Sequence, residues 1–510
     1  MALPLFGLLW GQLQVAHVLK DVRGDLSTLR LLPSIALLSS APLVLLPKQA
    51  SRWLPVAAFA NGLYLLVHGS RSNHILQDIL VNLTIVLAAW GGAFEKNLAN
   101  ALRWYLVVLY AISALHKMNS DWFDPRVSCA ASVSATMLAQ YVPSLVPPGS
   151  SLCRLILQQA PHGAAVFEVL LPAVLLLAGP PGSRSPWQGA CARFGVVLGA
   201  IFHLMLALPL PPASFYPFSA SCLALYPLLM PDAVAGLAAI CPSGLAQAFW
   251  LMLPGLSLSL CAAANVSGAW SSWLKGGTFA PPFEYPPYDL YNAGVCWCFG
   301  VTALLLLLAL LGPGASTARA KGSFGLASIV VIAAALWLGL GPYLGTRTYP
   351  AFAMFSNLRV EAAPNHFFLG ADVLGLQTDV VQVLETNSSA LLNYQVDLSQ
   401  LYTPQTSEYF RAAGLEQALW ICPPAWQRPE SNFRVFSAPA VGLWQRLRSE
   451  SETGTLYARV RRGGEELLVT RREQLRGRCR DRIPTWLCDL AHTWLGPFRS
   501  FEEDQSVCRH

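Results

Sequence analysis

Charge is scarce in this chain. Only 12% of its 510 residues are Asp, Glu, Lys or Arg, against 54% hydrophobic, and the mean hydropathy is +0.44. A composition so poor in charge excludes an ordinary soluble globular protein. Lysine is absent beyond Lys321: Lys20, Lys48, Lys96, Lys117, Lys275 and Lys321 are all there are, and the strongly basic residues of the last third are all arginine. No phosphate-binding glycine loop, zinc-type cysteine pair or HExxH stands out, so no metal site is expected. Met1 to Lys20 lacks a basic start and a small-residue cleavage site, so the first spans are expected to do the targeting. The net charge of +6 sits on the apolar part, where loops flanking spans account for it. Nucleic acid is therefore not an expected partner.

What the chain has in abundance is apolar sequence. Runs of the roughly 17 to 25 residues needed to cross a bilayer recur at 31–46, 53–68, 78–94, 99–118, 163–180, 194–210, 214–231, 240–263, 291–312 and 325–345, with 4–19 as an uncertain extra. Several are short or broken by proline and glycine, which gives about eight to eleven transmembrane helices. After Pro350 glutamate, aspartate and arginine return every few residues and no run is long enough to span. The expected fold is a polytopic α-helical membrane domain over 1–345 followed by a β-rich domain over 346–510.

The tail reads as strand because Asp379 to Leu398 is rich in β-branched and alternating apolar residues. Leu456 to Thr470 sets two such runs around Gly463-Gly464, a hairpin signal because both turn residues need φ > 0. If the tail is extracytoplasmic, Lys48/Arg52, Lys96/Arg103, Arg184/Arg193 and Arg319/Lys321 fall on the cytosolic side, as the positive-inside rule requires. The segments 119–160 and 264–290 then face the lumen. Asn387-Ser-Ser389 is a glycosylation acceptor in the tail, and Cys422, Cys479, Cys488 and Cys508 form an even set able to make two disulfides in an oxidising compartment. Asn265-Val-Ser267 would lie at a lumenal helix end, and Asn82-Leu-Thr84 lies inside a span and should be silent.

An ionisable group inside a span costs at least about 2.5 kcal/mol on insertion scales, so each one asks for a reason. The candidates are His68, Asn73, His74, His116, Lys117, Glu168 and His203. Lys117 ends an apolar run and precedes an acidic loop. It either snorkels to the headgroups, paired with Asp121 four residues on, or is held in a dry site, where lysines serve as neutral bases. Asn73-His74 reads as a capping or interfacial pair at a span start, on the face expected for Lys117. His203 lies in the apolar Ala200-Ile-Phe-His-Leu-Met-Leu206 and either bonds a neighbouring helix or donates to a developing oxyanion. Glu168 reads as the structural partner of a buried cation or amide. His116 points about 100° away from Lys117 on a helix.

These residues resemble the vitamin K-dependent γ-carboxylase family, whose membrane part is the horizontally transferred transmembrane domain. The resemblance rests on Asn73-His74, on His116-Lys117 with Asn119-Ser-Asp-Trp-Phe123, on the glutamate-bearing span before Leu171-Pro172, on Phe202-His203, and on Ala353-Met-Phe-Ser356 with Asn365-His366. It implies a membrane enzyme, multi-pass in the endoplasmic reticulum with a lumenal tail. Vitamin K hydroquinone or a related quinol would be the cofactor, with O2 and CO2 as co-substrates. Lys117 would deprotonate the quinol, oxygen would add, and the resulting alkoxide would take a γ-proton from a glutamate of a secreted or membrane protein, whose carbanion captures CO2. His74 and His203 would orient or stabilise charged intermediates, and Asn73, His116 and Glu168 would line the quinone site. The chain differs from the carboxylases in His116, where they commonly carry a second lysine, in the apolar Leu204 to Pro209, and in a shorter tail. A related oxygenation of another substrate is the alternative chemistry. The non-enzymatic alternative is a membrane binding or scaffold protein whose polar residues join helices.

Overall fold

The computed structural model describes residues 2–22, 31–67, 73–90, 92–181, 184–209, 215–240, 288–311 and 325–346, and beyond 350 shorter stretches within 351–369, 379–391, 408–412, 436–447 and 456–475. The protein is mostly helical: α1 Ala2–Val22, α2 Leu31–Leu45, α3 Ala50–Val67, α4 Asn73–Trp90, α5 Phe94–His116, α6 Ser120–Phe123, α7 Cys129–Tyr141, α8 Ser151–Leu177, α9 Pro186–Ala207, α10 Tyr216–Leu225, α11 Pro231–Ile240, α12 Tyr288–Leu311 and α13 Leu326–Gly339. They belong to two compact units that interleave along the chain. One comprises Met1–Tyr110 and Phe167–Ala335, the other Ala111–Val166 and Leu336–His510.

Among the described residues four helices, α4, α5, α8 and α9, are long and apolar enough to cross a membrane. The count becomes five if α2 and α3, bent by 111° at Leu46–Pro47, are taken as one broken span. Eight to eleven spans were expected, and the difference has local causes. Pro47 stops α2 from running into α3. The expected span 214–231 is a ten-residue α-helix that tightens into a 3-10 turn at Tyr226–Leu229 and ends before Pro231. Leu326–Gly339 and the described Gly294–Leu310 are apolar but shorter. The expected span 240–263 and loop 264–290 lie almost wholly outside the described residues. The segment 119–160, expected to face the lumen, contains α6, α7 and the first turns of α8.

In the first unit α1 packs on α2 and α3, α3 packs on α4, and α9, α10 and α12 pack on one another, with α10 also against α1 and α4. The local sequence of α9 explains its start and its orientation. Ser185 accepts from Gln188 N while the Gln188 side chain returns to the Ser185 N–H, and Pro186 sits at the first helical position. Its buried face is built of small residues, Gly189, Ala192, Gly195, Gly199 and Ala200, together with His203. Its large apolar residues Trp187, Phe194, Ile201 and Met205 are exposed. Small and polar residues inside with large apolar residues outside is the inverse of a water-soluble helix.

The second unit carries a four-stranded antiparallel sheet in the order β2-β1-β3-β4, with β1 Val380–Thr386, β2 Phe436–Pro439, β3 Ala458–Arg462 and β4 Glu465–Val469. The alternation read from the sequence buries Val381, Val383, Ala458 and Val460 against Leu443 and Leu447 of the helix Ala440–Leu447. Gly463 and Gly464, at φ +59° and +89°, make the two-residue hairpin between β3 and β4. A second apolar cluster joins Ala131, Ala135 and Leu138 of α7 to Cys153 and Leu157 of α8 and to Tyr409, whose hydroxyl donates to Val146 O at 2.8 Å.

Candidate functional site

The residues that bear chemistry are divided between the two units. In the first unit His203 is fully buried on α9, and its Nε2 lies 2.5 Å from the Tyr110 hydroxyl of α5. That hydroxyl also meets the Tyr226 hydroxyl at 2.7 Å. Phe202, Phe218 and Tyr226 surround the imidazole at ring distances of 5.5 to 6.2 Å. The His203 Nδ1 has no hydrogen-bond partner among the described residues. With the proton on Nδ1, Nε2 accepts from Tyr110, Tyr110 accepts from Tyr226, and Nδ1–H remains as a buried donor. A buried donor of this kind suits stabilisation of a negative oxygen.

Asn73 and His74, expected in a loop, are the first residues of α4, with Asn73 buried. The His74 ring lies 6.1 Å from that of His17 on α1. Continuing along α4 at four-residue intervals come Asp78 and Asn82. Asp78 Oδ2 is 2.9 Å from His17 Nδ1, and Asp78 Oδ1 accepts from Ser221 Oγ at 2.8 Å. Asn82 donates to Gln14 Oε1 at 3.4 Å and accepts from Trp10 Nε1 at 3.0 Å, which places its glycosylation sequon out of reach. Next to Asp78, Gln77 Nε2 donates to Cys222 Sγ at 3.1 Å. Glu168 is buried on α8. The sequence reading missed His17, Asp78, Tyr110, Ser221 and Tyr226.

Two arginines of this unit serve helix ends. Arg184 donates to the carbonyls of Ala178, Gly179 and Leu229, and Arg103 donates to Leu175 O. They satisfy the last carbonyls of α8, which have no partner within the helix.

In the second unit Lys117 follows the end of α5 and is only 5% exposed. Its Nζ donates to Ser113 Oγ at 3.1 Å and lies 5.1 Å from the centre of the Trp122 ring. Trp122 is fixed at both ends, its indole N–H donating to Pro161 O at 2.9 Å and its backbone N–H to Asn119 Oδ1 at 2.8 Å. Asn119 caps α6 and spends its two amide protons on His116 O and Ser356 O, each at 2.8 Å. His116 uses both ring nitrogens, Nε2 on Ala351 O at 2.9 Å and Nδ1 on the Tyr343 hydroxyl at 3.0 Å. A carbonyl only accepts, so Nε2 carries a proton.

The pair Asn365-His366 closes this centre. Asn119 and His366 form an antiparallel bridge, with Ser120 N donating to Asn365 O and Phe367 N to Met118 O. Asn365 Nδ2 donates to Asp121 Oδ2 at 2.7 Å, and His366 Nε2 meets Leu115 O at 2.9 Å. Outside the spans, Arg126 holds the Asp124 carboxyl below the usual carboxylate range through hydrogen bonds and its charge. Asn387 is exposed just after β1, its Oδ1 accepting from Tyr457 N; Ser389 of its sequon, the four tail cysteines, His68 and Asn265 lie outside the described residues. Cys153, Cys191, Cys222 and Cys298 are buried free thiols. No cluster of three or more metal-type ligands occurs among the described residues.

No family model, curated protein or solved structure matches the chain.

Proposed function

We propose that the chain is a multi-pass membrane enzyme of the endoplasmic reticulum, similar in chemistry to the vitamin K-dependent γ-carboxylases, with Lys117 as the base that deprotonates a quinol. The observation that carries this reading is the burial of Lys117. A snorkelling lysine exposes its ammonium, whereas this one is 5% exposed, between a serine hydroxyl and an indole face. A lysine withdrawn from water is a candidate general base, and a dry site protects a reactive alkoxide from solvent.

The apolar outer faces of α8 and α9 support insertion in a bilayer. The exposed Asn387 supports a lumenal sheet domain. The chemistry supplied by a bound quinol is oxygen activation to a strong base. Lys117 would take the first proton, and the His203 Nδ1–H would be offered to an anionic oxygen. His74 and Asn73 keep the quinone-positioning role that the resemblance implies, and Glu168 and His116 the quinone-lining one. His116, with both nitrogens bonded to protein, would act by holding the end of α5.

That same saturation of His116 favours the second reading, a membrane scaffold in which polar groups join helices. Purified protein given reduced vitamin K, oxygen and labelled bicarbonate distinguishes the two. Quinone epoxide together with label fixed in a glutamate-rich peptide establishes carboxylation. Epoxide without fixed label means oxygenation serving another acceptor. Folded protein that makes neither is a scaffold.

A further inference from the structure

Apart from His74, the seam between α1 and α4 has no part in the proposed function. Along α4, His74, Asp78 and Asn82 recur every fourth residue, and along α1, Trp10, Gln14 and His17 recur at three- to four-residue spacing. They meet in antiparallel order: His74 beside His17, His17 on Asp78, Gln14 and Trp10 on Asn82. A polar stripe along one face of an otherwise apolar helix is maintained against a steep desolvation cost.

Asp78 is the centre of this stripe. It is fully buried; Ser221 Oγ donates to Oδ1, while Oδ2 and His17 Nδ1 face each other at 2.9 Å with neither making a hydrogen bond among the described residues. The groups set around it are His17 from α1, Gln77 and, one turn back, His74 from its own helix, Tyr105 from α5, and Ser221 and Cys222 from α10. Its basic partner is a histidine, whereas elsewhere in the same unit permanent charges, Arg103 and Arg184, cap helix ends. Histidine is the side chain that changes charge near neutral pH. His17 is also 15% exposed while Asp78 is 0% exposed, so one ring nitrogen faces a dry carboxylate on a residue that reaches the surface of the unit. Gln77 Oε1, buried beside this pair, has no partner among the described residues.

We propose that His17, Asp78 and Ser221 form a proton-binding site, loaded through His17. A proton arriving at His17 Nε2 forms the imidazolium. The Nδ1–H bond then breaks as its proton passes to Asp78 Oδ2, leaving a neutral ring in the other tautomer and a neutral carboxylic acid. One proton has moved inward and no other reactant is consumed. Ser221 donates to Oδ1 in both states and steadies the carboxyl group.

The test is infrared spectroscopy of the full chain in lipid nanodiscs across a pH titration, with wild type minus Asp78→Asn isolating Asp78 from the buried Glu168. The site predicts a carboxylic-acid carbonyl band that grows as pH falls, shifts in D2O and is lost in Asp78→Asn. Ser221→Ala, which alters packing little, should move the band by removing its donor while leaving it titratable. His17→Gln should abolish the pH response over the same range. Absence of an Asp78 acid band at every pH in folded wild type would make the pair a fixed ion pair and overturn the proposal. An unchanged titration in His17→Gln would overturn it equally, since protons would then reach Asp78 without the ring.

Discussion

Asn365 donates its side-chain amide to the side-chain oxygen of Asn119 at 3.3 Å, across 246 positions of sequence. Asn119 is in turn bonded to His116 O, Ser356 O and Trp122 N, so one amide ties the end of α5, the indole beneath Lys117 and the chain beyond residue 350. Two asparagines that the sequence pattern singles out separately are parts of one buried junction.

Asn119→Asp keeps the shape and removes both donors while placing a charge among carbonyls. Leaving a buried group unsatisfied costs about 1–3 kcal/mol and more when charged. Thermal unfolding in detergent should therefore show a large loss of stability. Asn365→Asp should also destabilise, because it removes the donor to Asn119 and sets a second carboxylate against Asp121 Oδ2.

The close approach of α9 to Tyr226 has its own signature. A Cβ at Gly199 would overlap the Tyr226 hydroxyl, so Gly199→Ala must push that ring away from Tyr110. Overpacking of this kind costs roughly 1–3 kcal/mol. Tyr226→Phe alone should cost about 1 kcal/mol for the lost hydrogen bond. The double variant should recover part of the Gly199→Ala loss, because the overlapping atom is gone, and melting temperatures of the three proteins check this.

Arg184 bonds carbonyls from two separate segments, the end of α8 and the 3-10 turn at Leu229. Arg184→Met fills similar volume but returns those carbonyls to the unsatisfied state, an expected loss of about 2–3 kcal/mol. Arg184→Lys should recover little, since one ammonium cannot reproduce the forked geometry. Chemical denaturation in mixed micelles would measure both.

In the tail, Gly463→Ala introduces a side chain at φ +59°, which L-residues tolerate poorly. A loss of about 1 kcal/mol is expected. Hydrogen exchange at the paired amides of β3 and β4 should quicken while that in α7 stays unchanged.

Some of this was legible in the sequence. The Gly463-Gly464 hairpin follows from the conformational demand of a two-residue turn, and the valine alternation fixed which face of β1 is buried. The segment 214–231 misled because its apolar composition conceals Pro227 and Pro231, which divide it into short pieces. Asp78 escaped notice because the expected span began at residue 78, putting the acid at a membrane edge. The helix starts a turn earlier, at Asn73, and carries Asp78 inward. The partners of His203 lie 93 positions upstream at Tyr110 and beyond it at Tyr226, and no periodicity within one helix reports such a pairing. Asp121, which the i,i+4 spacing offered as one reading of the surroundings of Lys117, lies in α6, where it accepts from Asn365 and Ser120.

The most direct test of the central reading is oxygen-dependent conversion of vitamin K hydroquinone to its epoxide by wild type and by folded Lys117→Ala, with and without added small primary amines. A catalytic base contributes about 10²–10⁴-fold. The account predicts turnover in wild type, loss of about a hundredfold or more in the variant, and partial recovery when an amine fills the vacated space. Equal turnover by Lys117→Ala and wild type would contradict it.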